Sequence, residues 1–142
     1  MRTAVRLLFL AYLLLSGGLL FGQNPLPDRI RTALRSGNAH DLARLFSSRV
    51  ELIIDSERIN SSKVSSSQAE MIIRAFFKKY PPADFQYVYQ GTSSTIQYST
   101  GTYRSGDDSY LVYILLKRGD EGYTIGTLHL RREATGKLTA RN

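Results

Sequence analysis

The stretch SSSQAEMIIRAFFKKYPP, residues 65–82, constrains the fold more than any other part of the chain. Ala69, Ile72, Ile73, Phe76, Phe77 and Tyr80 recur at helical spacing and form an apolar stripe about a third of a turn wide. Arg74, Lys78 and Lys79 lie off that stripe. Ser67 and Glu70 are spaced as a capping box at the start. Pro81 and Pro82 end the helix, because proline disfavours helical geometry in the residue before it. A stripe this wide, with two adjacent phenylalanines, has to lie on a large apolar surface.

That surface is expected to be a sheet. From Ala83 onward DFQYVYQ, STIQYSTGTYR, SYLVYILLKR and GYTIGTLHLRRE are separated by GTS, SGDD and GDE, which are hairpin-type turn signals. RVELIID earlier in the chain alternates as a strand, and SERINSSKV after it reads as a turn-rich return. Two short helices precede them. Leu26, Ile30, Ala33 and Leu34 form one apolar stripe, with Pro27 in the first turn and Gly37 as a left-handed terminator. Asn38 then caps AHDLARLF, which turns Leu42, Leu45 and Phe46 inward. The expected architecture is α+β, with three N-terminal helices packed on a curved antiparallel sheet.

YLVYILL departs from the usual pattern, since both of its faces are apolar. An antiparallel strand with one wet face should alternate. The helices can cover one side, so the other calls for a partner, and a homodimer through the sheet is the simplest answer. Val112 and Ile114, together with His129 and Arg131, are the expected interface residues.

The first residues have a different character. MRTAVRLLFLAYLLLSGGLLFGQ has a basic start, an apolar run and then small residues, the layout of a secretory signal peptide. Cleavage is expected after Gly22, with Gly18 as the alternative. Residues 23–134 then form one domain and residues 135–142 a polar flexible tail. The apolar stretch is broken by Ser16, Gly17 and Gly18 and is short for a spanning helix, so no transmembrane anchor is expected once it is removed. The expected destination is the periplasm or the exterior. The chain has no Cys, which excludes disulfides, thiol catalysis and thiolate metal sites. Loss of Arg2 and Arg6 lowers the net charge from +7 to +5. That mild excess reads chiefly as solubility. A weaker reading is adhesion to anionic polymers through Lys78, Lys79, Lys117, Arg118, Arg131 and Arg132, and no nucleic-acid partner is expected.

No residue set carries chemistry on its own, so no catalytic residue, cofactor or metal is expected. His40 begins a helix beside Asp41, and His129 points to the wetter face of its strand, opposite Leu128 and Leu130. Two such histidines make no metal-ligand spacing. Asp107, Asp108, Asp120 and Glu121 fall in turns, where Asp serves the local backbone. Arg118-Gly119-Asp120 is read as a hairpin tip. There is no nucleophile elbow and no glycine-rich phosphate loop. The aromatic residues are more informative. Phe85, Tyr87 and Tyr89 share one parity and are expected to face the Phe76/Phe77 helix. Phe76, Tyr87, Tyr89, Tyr98 and Tyr113 are therefore the expected lining of any pocket, one suited to a small apolar ligand.

SGNAHDLARLF, VELII, SSSQAEMIIRAFFKKYPP, YQGTSS, YSTGTY, YLVYILLK and YTIGTLHLRRE together resemble DUF4783, a family of exported Bacteroidetes proteins of unknown function. The resemblance spans about residues 24–134. It implies the cone-shaped nuclear transport factor 2-like (cystatin-like) fold, which also houses ketosteroid isomerases and scytalone dehydratase, and it implies export. Fold alone does not decide function. The first reading is a non-catalytic ligand- or protein-binding accessory module. The alternative is a cone-pocket enzyme of isomerase or dehydratase type, which requires an acid or imidazole inside the cone with a tyrosine donor beside it.

Overall fold

The computed structural model describes residues 25–134. The expectations for the signal peptide and for the tail at 135–142 lie outside the described residues. Three helices, α1 (Leu26–Ser36), α2 (Ala39–Ala43) and α3 (Ser66–Lys79), accompany a six-stranded sheet. Its strands are β1 (Phe46–Ile54), β2 (Ile59–Ser65), β3 (Asp84–Thr92), β4 (Ile96–Ser105), β5 (Asp108–Gly119) and β6 (Gly122–Arg132), in the spatial order β2-β1-β6-β5-β4-β3.

The helices form where the sequence patterns place them. Leu26, Ile30, Ala33 and Leu34 of α1 are buried, and Gly37 ends the helix at φ 65. Asn38 caps α2 by accepting from the Asp41 N–H at 3.0 Å. The α2 helix is shorter than expected, because the Leu45 carbonyl accepts from the Ile125 N–H of β6 and Phe46 already opens β1. Both side chains are nevertheless buried. The capping box of α3 sits two residues earlier than expected. Ser65 Oγ accepts from the Gln68 N–H, and the Gln68 side-chain Oε1 accepts from the Ser65 N–H, each at 3.2 Å. Glu70 instead accepts from Arg74 and meets His40 of α2, both at 2.9 Å.

The sheet is antiparallel except at one seam, where β1 runs parallel to β6. Ser47 Oγ and Thr124 Oγ1, 2.7 Å apart, share a hydrogen bond across that seam. The segment after β1, read as an irregular return, is a 3-10 turn (Asp55–Glu57) followed by the full strand β2, which closes one edge.

The core lies between α3 and the concave face of the sheet. Ile73, Phe76 and Phe77 of α3 meet Leu52, Ile54, Tyr103, Tyr110, Val112, Ile114, Leu128 and Leu130 in one buried cluster. Phe76 stands edge-on to Tyr110 at 5.2 Å and packs against Tyr103 at 5.6 Å. The Tyr103 hydroxyl donates to the Tyr80 carbonyl, so a fully buried ring still satisfies its polar end.

Strand register fixes which side chains look outward. Tyr113 pairs with His129 and with Thr100, Leu111 with Arg131, and Leu115 with Thr127 and Tyr98. Val112 and Ile114 are fully buried on the concave side. This reverses the expected phase of β5: Val112 and Ile114 are core residues, whereas Tyr113 lies on the outer face. His129 and Arg131 do point outward as expected.

Candidate functional site

Two features of the folded chain are candidates for function: a cavity at one end of the cone and the outer face of the sheet. The cavity has a volume of about 160 Å³. The first turn of α1 supplies Pro27 and Ile30 to it, β3 supplies Tyr87, Gln90, Gly91 and Thr92, β4 supplies Gln97, Tyr98 and Ser99, and β5 supplies Leu116.

Local geometry explains how these residues converge. The Tyr87 hydroxyl donates to the Pro27 carbonyl at 2.6 Å, which fixes the start of α1 against β3. Arg31 of α1 lies over the same ring at 5.5 Å, and Arg35 meets Asp84 at 3.4 Å. Burial pushes the Tyr87 phenol well above its ordinary value, against the opposing pull of Arg31. A bulge between Tyr87 and Tyr89 then shifts the register of β3 against β4. Phe85 is buried and Tyr87 half-buried, but Tyr89 emerges on the outer face, 54% exposed. The shared parity expected for Phe85, Tyr87 and Tyr89 therefore fails at the bulge, since one extra residue inverts every later side chain. Tyr89 packs against Tyr98, with ring centroids 5.8 Å apart. The Tyr98 ring covers Gly91 so closely that a Cβ there would stand 2.6 Å from Tyr98 Cζ.

Of the residues expected to line a pocket, the structure brings Tyr87 and Tyr98 to this cavity. Phe76 belongs to the aromatic core and edges a separate apolar cleft with Ile59, Met71 and Ile72. Tyr113 is on the opposite face of the sheet from the cone interior. Gln90, Gln97 and Ser99 were not anticipated. Their signal was weak, because polar residues flanking a hairpin ordinarily read as solvent-facing.

Among the described residues no carboxylate or imidazole is buried; the buried polar side chains are Ser99 and Ser105. The histidines lie outside the cone. His40 is paired with Glu70 at 2.9 Å, and His129 Nε2 lies 3.3 Å from Asp55. No group of His, Asp and Glu able to hold a metal occurs among the described residues, and no described helix is long and apolar enough to cross a membrane.

The outer face runs across five strands. Ile53, His129, Tyr113, Thr100 and Tyr89 lie in one row, flanked by Leu111 and Leu115 on β5 and by Tyr98 on β4. Glu51 and Arg131 edge this apolar centre, with Asp55 next to His129.

The profile of a family described as a domain of unknown function, DUF4783, matches residues 27–131. Among solved structures, the chain is similar to a DUF4783 family protein from Bacteroides uniformis at a TM-score of 0.70 and 19% identity, covering 76% of this chain and 97% of that one. It is similar to a DUF4783 family protein from Bacteroides fragilis at a TM-score of 0.68 and 20% identity, covering 74% and 96%. An NTF-2-like protein of unknown function from Silicibacter pomeroyi matches at a TM-score of 0.57 and 11% identity, over 76% and 90%. At these identities the likeness concerns the fold, which is nuclear transport factor 2-like. No curated protein matches the sequence.

Proposed function

Because this chain belongs to the DUF4783 family, which brings a fold but no activity, we propose its function from its own surfaces: it is an exported, non-catalytic accessory module that binds, and it pairs with a second copy through the outer face of its sheet. Export rests on the signal-like pattern of residues 1–22. The observation that carries the binding role is the outward row Ile53, Tyr113 and Tyr89 with Leu111 and Leu115, at the middle of the sheet, on the face opposite the buried core. An apolar centre with a charged rim is the anatomy of a protein interface.

The occupant proposed is a second copy, on the ground of charge placement. A two-fold axis along the strands, between β5 and β6, lays β1 of one copy over β4 of the other. Acidic Asp55 edges the β1 side, and Arg104 edges the β4 side toward the same end of the strands. The same axis sets His129 against Tyr113 of the partner subunit. Each half of the face complements the other, as an isologous contact requires. The isomerase or dehydratase reading finds less support, because an acid or imidazole near a tyrosine inside the cone is its minimum requirement.

Sedimentation of the purified protein tests this reading. A dimer is expected, and Tyr113→Asp or Leu111→Asp should turn it into a monomer with an unchanged circular-dichroism spectrum. A wild-type monomer at high micromolar concentration would overturn the pairing.

A further inference from the structure

The cavity beneath α1 has a chemistry that the outer face does not share. We propose that it is a binding site for one neutral, hydroxyl-rich ring, such as a terminal sugar residue. This goes beyond self-association and does not depend on it.

Size sets the first limit. A cavity of about 160 Å³ is close to the roughly 150 Å³ that accommodates a single six-membered ring. Charge sets the second. No side chain lining the cavity is charged. Anions such as phosphates and carboxylates would find no counter-charge there, and a cation would find no carboxylate.

Hydrogen-bonding character sets the third limit. Gln90 presents both a donor and an acceptor, and the hydroxyls of Thr92 and Ser99 can do either. A sugar hydroxyl likewise donates and accepts, so it can satisfy such groups in several orientations. A purely apolar ligand would take that amide and those hydroxyls out of water without replacing their partners, which is costly. The apolar side of a sugar ring is provided for as well. Ile30 and Leu116 are buried in the lining, and Tyr87 contributes its half-buried ring. Aromatic faces carry negative charge density and suit the C–H-rich face of a pyranose.

The test is a two-dimensional amide NMR titration of the purified protein with the methyl glycosides of glucose, galactose, mannose and N-acetylglucosamine, and with toluene as the apolar probe. At least one glycoside should give saturable shifts confined to residues 27–30 and 90–99. Gln90→Leu, at an exposed position, should weaken that binding by about tenfold or more, with the rest of the spectrum unchanged. Absence of saturable shifts with all four glycosides would overturn the proposal. So would saturation by toluene alone, or binding that Gln90→Leu leaves intact. A monomer in sedimentation leaves this test unaffected, so failure of the pairing and failure of the sugar site can be told apart.

Discussion

The hydroxyl of Tyr87 donates to the carbonyl of Pro27 at 2.6 Å, joining the middle of β3 to the first turn of α1. Tyr87→Phe removes this contact and should cost about 1 kcal/mol, the usual net worth of a neutral hydrogen bond. Denaturant unfolding measures the loss, and hydrogen exchange should locate it at residues 26–36.

The same burial gives a pH dependence. Tyr87 and Tyr103 both have phenols pushed above the ordinary value of 10.0, chiefly by desolvation. The fold therefore holds the neutral form, while in the unfolded chain these groups ionise near 10. Their contribution to stability is fully present below about pH 10 and is lost as the pH climbs beyond it. Melting temperature should be insensitive to these groups near neutrality and fall above pH 10. Tyr87→Phe should flatten that fall; an identical slope in the variant would contradict the assignment.

Three serines in a row, Ser65 to Ser67, open α3, and the structure distinguishes them. Ser65 makes the reciprocal pair with Gln68. Ser65→Ala should therefore cost about 1 kcal/mol, whereas Ser67→Ala, inside the helix on an exposed position, should be close to neutral. Thermal melts of the two variants side by side settle the matter.

Gly101 faces the core under Phe85. A Cβ there would stand 2.6 Å from the Phe85 ring and 2.7 Å from the Gln86 carbonyl. Backbone cannot yield as a flexible side chain can, so Gly101→Ala should destabilise by about 2 kcal/mol. A double variant, Gly101→Ala with Phe85→Leu, should recover part of the ring clash but not the contact with the carbonyl.

Arg58 follows the 3-10 turn at φ 55, in the left-handed region. A residue with a Cβ pays about 1 kcal/mol there, so Arg58→Gly should raise stability by up to about 1 kcal/mol, read as a higher denaturant midpoint.

Much of this fold was legible because periodicity reports burial. The stripe of α3 and that of α1 are read correctly from spacing alone, and the last four strands fall where their turns place them. The failures share a cause. A strand's parity is informative only if its two faces differ in polarity and its register is unbroken. In β5 both faces are apolar, so nothing distinguishes Val112 from Tyr113 until neighbouring strands fix the phase. In β3 the bulge after Tyr87 inverts parity midway, and no residue type announces it. The parallel β1–β6 seam was equally hidden, since it joins segments with the whole domain between them. The cavity was half legible. Its tyrosines stood out as a type, whereas Gln90, Gln97 and Ser99 gain their meaning only from the approach of α1.

That seam has a kinetic consequence. The Ser47–Thr124 hydrogen bond closes a loop of 77 positions, and β1 meets its inner neighbour only when β6, the final strand, is in place. A chain emerging from its N-terminus can form α1, α2 and the β1–β2 hairpin early, but it cannot complete the sheet until nearly all of the domain is available. Loop closure on this scale slows folding. The delay keeps the chain open during synthesis, a condition that favours threading through a narrow passage and disfavours premature collapse.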